Sequence, residues 1–242
     1  MNFTYQDALA HYGIGGAHPG GLSLTKEILS KEQITKQTKF LDAGCGTGQT
    51  AAYLARTYPC FISAIDHHPV MVKKAKQRFN NENIQIDIHE GSIEKTSFED
   101  NTFDIILSES VTVFTNISTT LKEYYRILKP GGVLIDLDMT AEPALDEIGK
   151  DKIKKTYNIN EVLTEKEWLE KLTEAGFHSI DILYSDTVYS QIKKSSETVN
   201  QEADFNLSKS IDPKLSDIMH QHYQLTNQYA MNLGHRVFRA VR

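Results

Sequence analysis

The sequence predicts an α/β fold, a mostly parallel sheet with helices on both faces. Three observations carry that reading. Short apolar runs alternate with helical patterns through the first two thirds of the chain, as strands connected by crossover helices do. A glycine-rich turn stands where the first strand of that series meets its helix, at Gly44-Cys45-Gly46-Thr47-Gly48. The composition is that of an ordinary globular protein: 242 residues, 40% hydrophobic and 24% charged, long enough for one large domain and short for two.

In order, Leu22 to Leu29 reads as a helix preceded by a glycine-rich loop, Gly13 to Gly21. Lys39 to Asp42 ends a first strand, and Thr47 to Tyr58 is its helix. Cys60 to Asp66 is a second strand, followed by a helix from Pro69, a residue suited to a first helical turn, to Phe79. Ile84 to His89 alternates as a third strand, and Phe103 to Leu107 is a fourth. Ile117 to Leu128 has helical spacing and stops at the breaker Lys129-Pro130-Gly131-Gly132; Val133 to Leu137 is a fifth strand. Thr164 to Ala175 is a helix with a capping box, Thr164 and Glu167, ended by Gly176. Phe177 to Val188 is a strand region, Pro213 to Met231 a helix and His235 to Val241 a closing strand. The polar stretch Gln191 to Asp212 reads as exposed helix and loop, and Glu142 to Leu163 carries no recognisable motif.

The composition excludes several functions. No apolar run approaches the ~20 residues a bilayer crossing needs. The opening MNFTYQDALAHYG has no basic region followed by an apolar core, so it does not read as a secretory signal. Cys45 and Cys60 form neither a disulfide framework nor a metal-ligand spacing, and the eight histidines other than His18 show no metal-ligand spacing either, so no metal is expected. A cytoplasmic location with free thiols follows. With a net charge of −6 and no basic tract, the chain is a poor candidate for nucleic-acid binding, which draws its affinity from Lys and Arg.

The glycine turn and Asp66, 18 residues beyond Gly48, carry the chemistry. Glycines at a strand-to-helix turn let a ligand lie against the backbone. A carboxylate about 20 residues further on is placed to accept hydrogen bonds from a ribose. Alone, the turn also fits a ligand-free bend, and Asp66 a cap for the helix at Pro69. Together they fit a nicotinamide site as well, although the glycines fall as GxGxG with Gln49 at the next position rather than as GxGxxG.

Four segments in order resolve this. FLDAGCGTGQTAAYLA, ISAIDHHPVMVKKAKQRF, GSIEKTSFEDNTFDIILS and LKEYYRILKPGGVLIDLD together resemble the class I S-adenosylmethionine-dependent methyltransferases, continuously from about Phe40 to Asp138. The likeness is to the small-molecule type of ubiquinone and menaquinone biosynthesis. It implies a Rossmann-like seven-stranded sheet with the last strand antiparallel. The whole of 1–242 would be one domain: an amino-terminal lid and helix (1–37), a cofactor-binding core (38–140), and acceptor-pocket elements with the last strands (141–242).

The resemblance also implies roles. Gly44, Cys45 and Gly46 would face the methionine part of S-adenosyl-L-methionine, and Asp42 would support its amino group. Asp66 would hold the ribose, and His67 would pack near the adenine. Ser92 and Ile93 match the positions that read the adenine edge; the family often has Asp at the first of these, and Ser92 is a weaker acceptor. Ser108 would lie beside the methionine group.

Glu109, at the carboxyl end of a strand, reads equally as a catalytic group and as a solvated loop residue. His18, in a loop with five glycines in ten residues, reads as a base or substrate contact in a lid, or as part of a surface turn. His220 and His222 read as the polar face of the helix from Pro213. A small-molecule acceptor and a monomer or homodimer are expected. An RNA or protein methyltransferase and a non-catalytic cofactor-binding protein are the competing readings.

Overall fold

The computed structural model describes residues 3–197 and 204–242, with side chains described to residue 193 and again from 204. The chain opens with α1 (Tyr5–Tyr12), β1 (Ile14–Gly15) and α2 (Gly21–Leu29). Strands and helices then alternate: β2 (Lys39–Ala43), α3 (Gln49–Thr57), β3 (Phe61–Asp66), α4 (Pro69–Asn81), β4 (Asp87–Glu90), β5 (Phe103–Glu109), α5 (Ile117–Ile127) and β6 (Leu128–Ala141). The remainder is α6 (Glu147–Tyr157), α7 (Glu165–Glu174), β7 (His178–Thr187), α8 (Val188–Glu197), β8 (Asp204–Phe205), α9 (Pro213–Gln228) and β9 (Leu233–Val241).

Seven strands form one sheet in the order β4-β3-β2-β5-β6-β9-β7. The pairs from β4 to β6 are parallel, and β9 runs antiparallel to both neighbours. This is the Rossmann-like sheet with a reversed last strand that the sequence led us to expect. β1 and β8 make a separate antiparallel pair, Ile14 with Phe205 and Gly15 with Asp204.

Alternation along the strands supplies two cores. Ile106 and Leu134 pack with Leu121, Tyr124 and Trp168 on one face. Ile105, Leu107 and Ile135 pack with Leu24, Ile28 and Leu54 on the other. Each such side chain contributes roughly 1.5–3 kcal/mol by leaving water. Trp168 is fully buried, and its indole N–H donates to the Met139 carbonyl at 3.0 Å, pinning α7 beneath the end of β6.

Several boundaries differ from expectation for local reasons. Ile84 is not in a strand, because its N–H closes the end of α4 on the Phe79 carbonyl at 3.0 Å; pairing with β3 begins at Asp87. Lys129 to Gly132 end α5 but do not form a loop. Gly131 donates to the Arg242 carbonyl and Arg242 to that of Gly132, so β6 starts at Leu128. Glu142 to Leu163 contains α6, capped by Asp146, whose side chain accepts the Gly149 N–H. The stretch Gln191 to Asp212 holds the rest of α8 together with β8; its residues 198–203 lie outside the described residues.

Candidate active site

The carboxyl ends of β2, β3, β5 and β6 open into one cleft of about 610 Å³. Open parallel sheets bind ligands at this edge. The amino end of the reversed strand β9 brings Gly234 and His235 to the same place. Residues of α1, β1, α6, α8 and α9 complete the walls.

The turn after β2 is held by the N–H groups of Gly44 and Cys45, both donating to the Ile65 carbonyl. Gly44 has φ +77°, and a Cβ there would strike Val111. Gly46 has φ +54° and nothing within 4 Å of where a Cβ would stand, so its backbone lies open. Cys45 is buried in the cleft wall; burial, then Asp42 and Asp66, pushes its thiol well up.

Asp66 is buried at the end of β3. Its Oδ2 accepts the Gly46 N–H and its Oδ1 the His68 N–H, each at 2.8 Å. The carboxylate therefore braces the glycine turn and starts α4, with lone pairs left over for a ligand. Beside it His67 is 57% exposed and lines the cleft. Asp42 is 4% exposed, and its Oδ2 has no hydrogen-bond partner. Burial, then Glu109 and Asp66, pushes its carboxyl well above the usual range.

Glu109 and His18 come together. Glu109 accepts the hydroxyls of Thr25 at 2.6 Å and Thr50 at 2.8 Å, and His18 Nε2 stands 3.5 Å from its Oε1. The Nδ1 of His18 faces the Pro19 carbonyl at 3.3 Å, so both ring nitrogens face oxygen acceptors. Three other expected positions do not reach the cleft wall. Ser92 is exposed, its Oγ accepting the Glu94 N–H, and Ile93 is 5% exposed in the core against the sheet. Ser108 is fully buried beneath the floor, bonded to the Thr112 hydroxyl at 2.9 Å, because its side chain points to the face opposite Glu109.

The amino-terminal segment forms a strap along the cleft wall. Tyr5 stacks on Phe114 and His222, with ring centroids 6.1 and 4.7 Å away, and meets Tyr157 edge-on. His222 is therefore not on a polar face: it accepts from or donates to the Tyr157 hydroxyl at 2.8 Å and lines the cleft, and burial lowers its pKa. Lys74 of α4 donates to the carbonyls of His11 and Asn206, and Arg78 bridges the Thr47 carbonyl and Asp204. These two cations tie α1, β8 and the glycine turn to one another. Sequence reasoning singled out none of Tyr5, Tyr157, Thr25, Thr50 or Asp138. Asp138 alone left a signal, a second acid in an otherwise apolar strand, LIDLD.

Among the described residues no cluster of His, Cys, Asp or Glu could hold a metal, and no helix is long and apolar enough to cross a membrane. Residues 41–136 match the family described as a methyltransferase domain. The chain is 35% identical over 235 residues to the uncharacterized methyltransferase YodH of Bacillus subtilis (strain 168), covering 97% of each. It is 28% identical to phosphoethanolamine N-methyltransferase 1 of Triticum aestivum over 172 residues, 70% of this chain and 34% of that one. Its fold is similar to that of Haemonchus contortus phosphoethanolamine N-methyltransferase 2, solved with phosphomonomethylethanolamine and S-adenosylhomocysteine. The TM-score is 0.74 at 20% identity, over 99% of this chain and 57% of that one. With the sheet, the ordered motifs and a full-length relative in agreement, the chain belongs to the class I S-adenosylmethionine-dependent methyltransferases.

Proposed function

We propose that this enzyme transfers the methyl group to a small-molecule acceptor bound in the same cleft as the cofactor. The observation that carries this reading is the strap: α1, the loop to α2, α8 and α9 wall the cleft and leave room for a small partner beside the cofactor. The acidic chain and the small-molecule acceptors named for its relatives favour it over an RNA or protein substrate.

The residues fit S-adenosylmethionine. Asp42, Thr47 and Gln49, whose Oδ2, Oγ1 and Oε1 are buried without hydrogen-bond partners, line the same cleft as the open backbone at Gly46. Asp42 would take the amino group, Asp66 the ribose hydroxyls, and His67 the adenine side. His18 Nδ1 faces the Pro19 carbonyl, while its Nε2, 3.5 Å from Glu109, is buried without a hydrogen-bond partner, so Nε2 would donate to the methionine carboxylate rather than act as a base. Glu109, fixed by Thr25 and Thr50, orients that histidine and adds negative charge. When bound, the cofactor supplies a sulfonium methyl that is already electrophilic. The chain therefore contributes orientation and exclusion of water more than strong acid–base chemistry.

The test is incubation with methyl-labelled cofactor and separate pools of cell metabolites, RNA and protein. Label entering the metabolite pool supports the reading. Label confined to RNA or protein refutes it.

A further inference from the structure

Acidic side chains and histidines both line the cleft. Among the described residues no Lys or Arg lines it, whereas four carboxylates do: Asp42, Asp66, Glu109 and Asp138. The proposed cofactor contacts use the first two, and Glu109 is held by two threonines next to His18. Asp138 is left over.

Asp138 is fully buried at the end of β6. Its Oδ2 accepts the Val113 N–H at 3.2 Å, Oδ1 is buried with no hydrogen-bond partner, and the residue borders the cleft. Two residues back on the same face lies Asp136, also fully buried. Two adjacent buried carboxyls are costly in an isolated protein, and the cation across the sheet from Asp138, Arg236, is already paired with Glu142 and Glu165. They become favourable when a ligand supplies the positive charge. A phosphate or carboxylate ligand asks for the reverse, an Arg fork or a Lys ammonium. The mouth of the cleft adds apolar surface, with Ile192 45% and Tyr223 65% exposed.

We propose that the acceptor is an amine lacking phosphate and carboxylate groups, and that the Asp138 carboxylate holds its nitrogen. This rests on the reading of a small-molecule acceptor above. The enzyme then differs in substrate from its phosphoethanolamine-methylating relatives, despite the shared sheet and motifs.

The experiment is calorimetry on the intact protein, first titrated with S-adenosylhomocysteine and then, saturated with it, with two matched pairs: ethanolamine against phosphoethanolamine, and benzylamine against phenyl phosphate. At least one amine should bind, and more tightly than its phosphate partner. Asp138→Asn, which keeps an oxygen for the Val113 N–H, should weaken that amine about 10- to 100-fold and leave S-adenosylhomocysteine affinity unchanged. A phosphate bound as tightly as its amine, no binding of either amine, or an unchanged amine affinity in Asp138→Asn would overturn the proposal. Wild-type protein that fails to bind S-adenosylhomocysteine would overturn the underlying reading instead, and the first titration shows that separately.

Discussion

At the scale of single residues, the site is a set of carboxylates whose environments differ. Asp66 is satisfied by two backbone N–H groups, Asp42 is half-satisfied, and Asp136 and Asp138 are buried together. Replacing Asp66 by Ala removes the brace on Gly46 and the acceptor proposed for the ribose. S-adenosylhomocysteine should bind about 10- to 100-fold more weakly, while circular dichroism shows the fold retained. His18→Ala separates two roles. As a cofactor contact, its loss raises the cofactor dissociation constant about tenfold with a smaller change in turnover. As a base, its loss would lower turnover about 10²–10⁴-fold at unchanged cofactor affinity. Asp136 gives a pH dependence. Burial pushes its carboxyl up to about 7, whereas an unfolded Asp titrates near about 3.9. Between those values the native state keeps a proton that the unfolded state has lost, so its contribution to stability falls as pH rises through that window. Thermal unfolding from pH 5 to 8 should therefore show a flatter profile for Asp136→Asn than for the wild type; parallel profiles would count against a buried proton on Asp136.

At the scale of elements, the glycine turn and the ends of β2, β3 and β5 were legible because each is a contiguous strand-to-helix junction with its own signature. The strap was not. Tyr5, Tyr157 and His222 lie on α1, α6 and α9, and only the fold brings their rings together. Nothing local in the glycine-rich loop foretells that Ile14 pairs with Phe205. Helical periodicity placed His222 on a polar face because it cannot see a helix packing across it. Ser108 was misplaced for a related reason: adjacent strand residues point to opposite faces, and Glu109 took the one on the cleft. The strap predicts a specific failure. Deleting Met1 to Gly21 removes Tyr5 and the partner of β8, opening the cleft to water. Methyl transfer should be abolished, with cofactor still bound at reduced affinity. Full activity in the truncated protein would show that the strap plays no part in transfer.

At the scale of the whole molecule, the proposed function has the family sheet supply the donor side and the less regular segments the acceptor side. The strand order β4-β3-β2-β5-β6-β9-β7 with β9 reversed builds the sheet, and apolar alternation along its strands fills the cores on its two faces. The cleft wall proposed for the acceptor draws on α1, α6, α8 and α9, outside the matched residues 41–136. That division explains why the cofactor could be read from the sequence and the acceptor could not: the sulfonium methyl is activated before it arrives, so no acid–base motif is required to mark the partner. The most direct test is a crystal structure of the protein with S-adenosylhomocysteine. The ribose should lie on Asp66 and the homocysteine end between Gly44, Asp42 and His18, with the strap closed over it and open space left beside Asp138. A ligand bound elsewhere, or in this cleft with its ribose away from Asp66, would contradict the assignment.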